Sequence, residues 1–142
     1  MCIRDRPHSC RQVLERGYGD CKDKAILLIS LGREAGLTLQ YALLRTRPAG
    51  EVDREVPNQQ FNHAIVYVPK QEGFPQPFFV DATTDGLDVG SLRADDQGAW
   101  SLVLDPLKKE GYAFIQIPLR PADEQYARSQ LNIAVGLSLI HI

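Results

Sequence analysis

The hydrophobic pattern changes period once along the chain. From Asp20 the segment DCKDKAILLISLGREAG keeps polar residues in its first turn, runs apolar almost all round, and stops at Gly36. This is the pattern of a helix with Asp20 as N-cap and Gly36 as terminator. The apolar girdle predicts a buried central helix. A shorter helix is predicted over residues 9–16, and Gly17-Tyr18-Gly19 then makes a tight turn into the longer one. After Gly36 come short β-like runs at residues 38–46, 61–68, 77–82, 100–104 and 112–117. A helix followed by consecutive strands predicts an α+β fold, with the Cys21-bearing helix packed on an antiparallel sheet of at least four strands.

The connection over residues 47–60, with Pro48, Gly50 and Pro57 among charges, is too long for a tight hairpin and reads as an exposed, substrate-facing loop. Residues 7–118 form the expected core. Residues 119–136 read as a linker, LRPADEQYARSQ, followed by LNIAVG, the first strand of a further β domain. MCIRDR at residues 1–6 and LSLIHI at residues 137–142 resemble translated adapter sequence and are set aside from the fold as non-native. There is no internal repeat and no low-complexity tract.

A chain of 142 residues suits one hydrophobic core. Hydrophobic residues at 44% and charged residues at 24% are globular averages, and the net charge of -2 offers no pull toward nucleic acid or an anionic membrane. The longest apolar run, residues 25–31, is far shorter than the roughly 20 residues of a membrane span. Protein or peptide substrates are the expected partners. Of three cysteines, Cys2 lies in the segment set aside, and Cys10 and Cys21 fit neither a zinc pattern nor a disulfide framework. A bond between them would consume the thiol that matters most.

That thiol is Cys21. A thiol attacks only as thiolate, and a helix start favours the anion through the macrodipole and free backbone N–H groups. With Asp20 as N-cap, Cys21 takes the first helical position and its N–H can point at an oxyanion. Asp20 and Asp23 oppose ionisation, with Lys22 and Lys24 offsetting them in part, so a histidine partner is required. His63 in FNHAIVYV is that partner, and PFFVDAT follows after a loop near residues 72 and 73. Antiparallel pairing about residue 72 places Asp81 directly opposite His63, with Thr83 the nearest competitor for that place. Gly19, Asp20, Asn62 and Thr83 are the expected supporting residues.

Taken singly, each residue has a structural reading: a buried small hydrophobe, a strand histidine with one hydrogen bond, an aspartate opening a turn. Jointly they reproduce the nucleophile, base and orienter of cysteine acyl transfer. DATTDG also resembles the start of a calcium loop, with Asp81, Thr83, Asp85 and Gly86 at ligand and turn positions, but Leu92 stands where the bidentate carboxylate belongs. No metal and no cofactor is therefore expected. Trp100, Tyr67, Phe78 and Phe79 read as packing residues.

The blocks GYGDCKDKAILL, FNHAIVYV and FFVDATTDG resemble the three signature blocks of the transglutaminase-like superfamily, over about residues 7–105. The GDCKDKA form is similar to a bacterial branch in which this core follows a large β-rich domain of unknown function. The resemblance implies a papain-like arrangement with Cys21, His63 and Asp81 as the triad. It also implies transglutaminase, peptidase or amidase chemistry through a thioester. In related enzymes a side-chain oxyanion donor comes from well upstream, whereas only fourteen residues separate the leader from Cys21. Catalysis is accordingly expected of a longer native protein. The alternative is a binding or scaffolding module that keeps the fold and triad without turnover. Substrate and compartment stay open.

Overall fold

In the computed structural model the residues described are 6–55, 59–121 and 131–132. Most of the expected linker and following strand, and both terminal segments apart from Arg6, lie outside them. Two helices, α1 (Cys10–Arg16) and α2 (Cys21–Glu34), precede five strands: β1 (Gln40–Leu44), β2 (His63–Val68), β3 (Phe78–Val80), β4 (Trp100–Leu104) and β5 (Tyr112–Gln116). All pairings are antiparallel, in the order β3-β2-β1-β4-β5. The fold is α+β.

Local chemistry sets the helix ends. Ser9 caps α1 and Asp20 caps α2, each in a reciprocal capping box, with Gln12 and Asp23 respectively reaching back to the cap. At the far end of α2, Gly36 adopts φ +78°. Its N–H reaches Arg33 O at 3.0 Å and the Leu37 N–H reaches Gly32 O at 2.8 Å, the two bonds of a Schellman stop. Gly19 is needed for a close approach. A Cβ there would lie 2.7 Å from Asp23 Cβ and 3.0 Å from Val13 Cγ1, so only glycine lets the turn pass between α1 and α2.

The sheet is buried unequally on its two faces. Ala42, Leu44, Ile65, Phe79 and Val103 cluster on one face with Ala99 and Ile117, which flank strand ends. Strand alternation sends Ala64, Val66 and Val68, also buried, to the other face, where α2 packs on β2 and β1. The α2 helix is not the buried central helix expected. Only Asp23, Ala25 and Gly32 are buried along it, and Leu31 is 52% exposed. Its outer side is met by α1 alone among the described helices, and α1 is half its length.

The β2–β3 register also departs from expectation. Val66 pairs with Val80 and Val68 with Phe78, so the same register continued outward puts Thr83, not Asp81, opposite His63. A tight turn forms where expected, with Gln71 and Phe74 exchanging 3.0 Å bonds around Glu72 and Gly73. The segment FPQP then shifts the pairing by one residue before β3 begins.

Leu44 is fully buried in this core. Leu44→Ala should cost about 2–5 kcal/mol in urea unfolding, against under about 1 kcal/mol for Leu31→Ala on the open side of α2. Equal losses would mean that the outer side of α2 is covered.

Candidate functional site

Three elements converge at one end of the sheet. The first residue of α2 is Cys21, the first residue of β2 is His63, and Asp81 directly follows β3. Backbone geometry brings these positions to the same end, because β3 runs antiparallel to β2 and α2 packs on β2.

His63 Nε2 lies 2.9 Å from Asp81 Oδ2, a diagonal rather than a direct cross-strand relation. With Nε2 so engaged, Nδ1 is the ring nitrogen left for the half-buried Cys21 sulfur. Asp81 reaches His63 from beyond the last paired residue of β3 because its other oxygen is anchored in a turn. Thr83 N–H and Oγ1–H both donate to Asp81 Oδ1, at 2.8 and 2.6 Å, and Thr84 Oγ1 donates to Asp81 O at 3.1 Å. This closed Asx-type turn occupies the carboxylate that a calcium loop would need.

The Asp81 side chain is fully buried. Burial alone would raise its pKa, but the bonds from His63 and Thr83 outweigh burial and hold it at about 2. Burial likewise disfavours the charged imidazole, yet the Asp81 bond, followed by Cys21 and the Asp81 and Asp96 charges, lifts His63 to about 9. For Cys21 the leading influence is the hydrogen-bonding interaction with His63, which lowers its pKa. Burial opposes, the Ala64 backbone and the His63 charge assist, and Asp20 raises it. Both shifts run in the direction of a thiolate facing an imidazolium.

The supporting residues divide. Asp20 caps α2 and is met by Lys22 Nζ at 2.9 Å, so its charge is partly spent away from the sulfur. Asn62 bonds Thr46, accepting from its N–H at 2.9 Å and donating to its Oγ1 at 3.0 Å. It fixes the approach to His63 without bonding Cys21, His63 or Asp81. Asp23 is not the opposing charge that proximity in sequence suggests. It is buried and turned away, accepting from the His8 N–H at 2.7 Å and facing His8 Nδ1 at 2.9 Å, a tie from the chain before α1 onto α2. Cys10 and Cys21 are free thiols, and Cys10 faces Ser30 at 3.3 Å.

Two further residues belong to the site. Arg93 Nε stands 3.6 Å from Asp81 Oδ2 and 3.1 Å from Asp96 Oδ2, and Arg93 Nη2 donates to Asp96 Oδ1 at 3.2 Å. The Asp96 side chain is fully buried, and burial pushes its pKa up against the pull of Arg93. The spacing Arg-x-x-Asp was visible in RADD, but nothing local said that the pair would fold back under Asp81. His63, Asp81 and Asp96 offer ligand atoms within 4.8 Å of one another. The Arg93 guanidinium already supplies the positive charge between the two carboxylates, so the trio is a poor fit for a cation.

Comparison with models of known families, with curated proteins and with solved structures finds no match to this chain.

The shifts fix signs that titration can check. His63, raised from 6.5 to about 9, contributes stability that is complete below pH 6.5 and lost as pH rises through 9. Asp81, lowered from 3.8 to about 2, contributes stability that is complete above pH 3.8 and lost as pH falls through 2. Wild type should therefore lose stability between pH 6.5 and 9 in urea unfolding, and Asp81→Asn should flatten that slope. Iodoacetamide should alkylate Cys21 with a midpoint below that of an ordinary thiol, and His63→Ala should move the midpoint upward. An unchanged midpoint in His63→Ala would show that the histidine does not tune the sulfur.

Proposed function

We propose that the chain is the core of a transglutaminase-like, papain-type cysteine enzyme acting on amide bonds of protein or peptide substrates through a thioester. One observation carries the reading. A helix-start cysteine faces an imidazole whose Nε2 is bound, at 2.9 Å, to a buried carboxylate. The likeness of the GDCKDKA, FNHAIVYV and FFVDATTDG blocks to that superfamily supports it.

In this mechanism the Cys21 thiolate adds to the carbonyl carbon, and the electron pair of the C=O bond moves to oxygen. The backbone N–H of Cys21, which has no intrahelical acceptor at the first helical position, is one donor to that oxyanion. Collapse of the adduct expels the amine, protonated by the imidazolium of His63, and leaves the thioester. The neutral imidazole then takes a proton from the acceptor. Water gives a carboxylic acid, and an amine gives a new amide; either way the second adduct expels the thiolate, which again faces the imidazolium. Asp81 holds the ring so that Nδ1 faces the sulfur, and Thr83 and Arg93 hold Asp81.

Single-turnover acylation by a reactive peptide ester tests the assignment, with folding followed by circular dichroism. Cys21→Ala should abolish thioester formation, and His63→Ala should reduce it by about 10²–10⁴-fold. Asp81→Asn should be severe yet milder than Cys21→Ala, since the amide leaves the ring free to take the wrong tautomer. A folded Cys21→Ala that still acylates would remove the nucleophile. Inertness to every acyl donor, in this chain and in any longer form of the protein that carries an upstream oxyanion donor, would favour a binding module instead.

A further inference from the structure

At the same end of the sheet a second feature opens beside the triad. A cavity of about 350 Å³ lies against residues 45–52, with Arg45, Arg47, Glu51, Trp100 and Gln116 among its walls. It is almost four times the volume of the cavity beside Phe78 and Arg120, at about 90 Å³. Register places it relative to His63. Leu44 pairs with His63 on one side and with Ser101 on the other. Arg45 follows Leu44, Trp100 precedes Ser101, and Trp100 pairs with Gln116. Strand alternation turns Arg45, Trp100 and Gln116 away from the Leu44 face and toward the face that carries α2. Helix α2 packs on β2 and β1, so this face of β4 lies open beyond it. Cys21, at the start of α2, and Trp100, at the start of β4, therefore lie at the same end of the sheet.

The cavity is electropositive. Two guanidiniums stand against one carboxylate, and a third, Arg54, stacks on Trp100 with its Cζ 4.2 Å from the ring centroid. Among the described residues, neither Arg45 nor Arg47 forms a salt bridge. Each donates to a backbone carbonyl, Arg45 to Glu51 O at 3.4 Å and Arg47 to Ala94 O at 2.6 Å. That leaves guanidinium donors for a ligand, in the fork geometry that suits a carboxylate. The chain as a whole is slightly acidic, so this concentration of cations is local.

We propose that this cavity is a specificity subsite for an acidic side chain of the acyl-donor peptide, a deepening that rests on the acyl-transfer reading above. Two strand spacings separate His63 from Ser101, roughly 10 Å. An extended peptide covers that in about three residues. The preferred donor thus carries Glu or Asp about three residues from the scissile carbonyl, with its carboxylate between Arg45 and Arg47 and its stem against Trp100.

Trp100 is the sole tryptophan of the chain, so its emission reads the cavity directly and independently of chemistry. The probe is a pair of capped hexapeptides, identical except for Glu or Gln at the third residue from the central amide, titrated into Cys21→Ala. The Glu peptide should change Trp100 emission saturably, the Gln peptide should bind about tenfold more weakly or worse, and added salt should erase the difference. Arg45→Gln/Arg47→Gln, with circular dichroism unchanged, should also erase it. Equal binding of the two peptides, or a Glu preference that survives the double substitution, overturns the proposal. Should the Arg substitutions unfold the chain, the Glu–Gln comparison on the intact cavity decides alone. Slow iodoacetamide alkylation and no acylation in the wild type, with Glu-selective binding intact, would count against the catalytic reading and leave the anion subsite standing.

Discussion

The buried carboxylate of Asp81 is the constraint on which the site rests. An isolated carboxylate with no solvent exposure is untenable as an anion unless its lone pairs are met. Here every approach is used: the imidazole and, more distantly, Arg93 at one oxygen, the amide and hydroxyl of Thr83 at the other. Each partner is thereby fixed in turn. His63 cannot rotate without abandoning Asp81, and the ring orientation that satisfies Asp81 Oδ2 through Nε2 is the one that offers Nδ1 to the sulfur. Removing any member costs more than its own bond, since a buried charge is left exposed to the low dielectric.

Cys21 is held by a separate and equally local device. The capping box of Asp20 and Asp23 fixes where α2 begins, and so fixes Cys21 at the first helical position. Gly19 lets the preceding turn pass close to Asp23, and His8 ties the incoming chain to the same carboxylate. Asp23 consequently serves the fold, and the burden of stabilising the thiolate falls on the imidazole and the helix start. Two rigid devices, one on α2 and one on the β2–β3 end, meet only at the sulfur and the ring.

Helix and strand positions were legible in the sequence because their signals are local. Caps, the Gly36 stop and the strand runs fall where the pattern puts them, and Trp100 to Leu104 matches to the residue. The meeting of Cys21, His63 and Asp81 was also legible, but the reason offered for it was not the operative one. Direct cross-strand opposition fails because the turn centres between residues 72 and 73 rather than on 72 and FPQP then shifts the pairing by one residue more, and the Thr83-anchored turn compensates by holding Asp81 toward His63. Side-chain bonds across a turn leave no periodic trace. The same holds for Arg93 and Asp96, whose role depends on how residues 82–99 fold over one face of the sheet, and for the outer side of α2, where the apolar pattern records a tendency to be covered rather than what covers it.

Charge arithmetic at the site explains why Arg93 does not undo the effect of Asp81 on His63. A cation near Asp81 weakens the hold of that carboxylate on a proton at the ring, and an unpaired arginine there would depress the imidazole. Asp96 meets the same guanidinium at both of its oxygens and returns a negative charge, which acts on His63 in the raising direction. The pair is close to neutral as seen from the imidazole, so Arg93 can restrain Asp81 sterically and by hydrogen bonding while the ring keeps its pKa near 9. Such cancellation depends on Asp96 being ionised; burial raises its pKa, and its protonation on acidification would leave Arg93 between Asp81 and the more exposed Asp95, 3.7 Å from Nε. The charge balance felt by the ring thus depends on a residue that bonds neither sulfur nor ring.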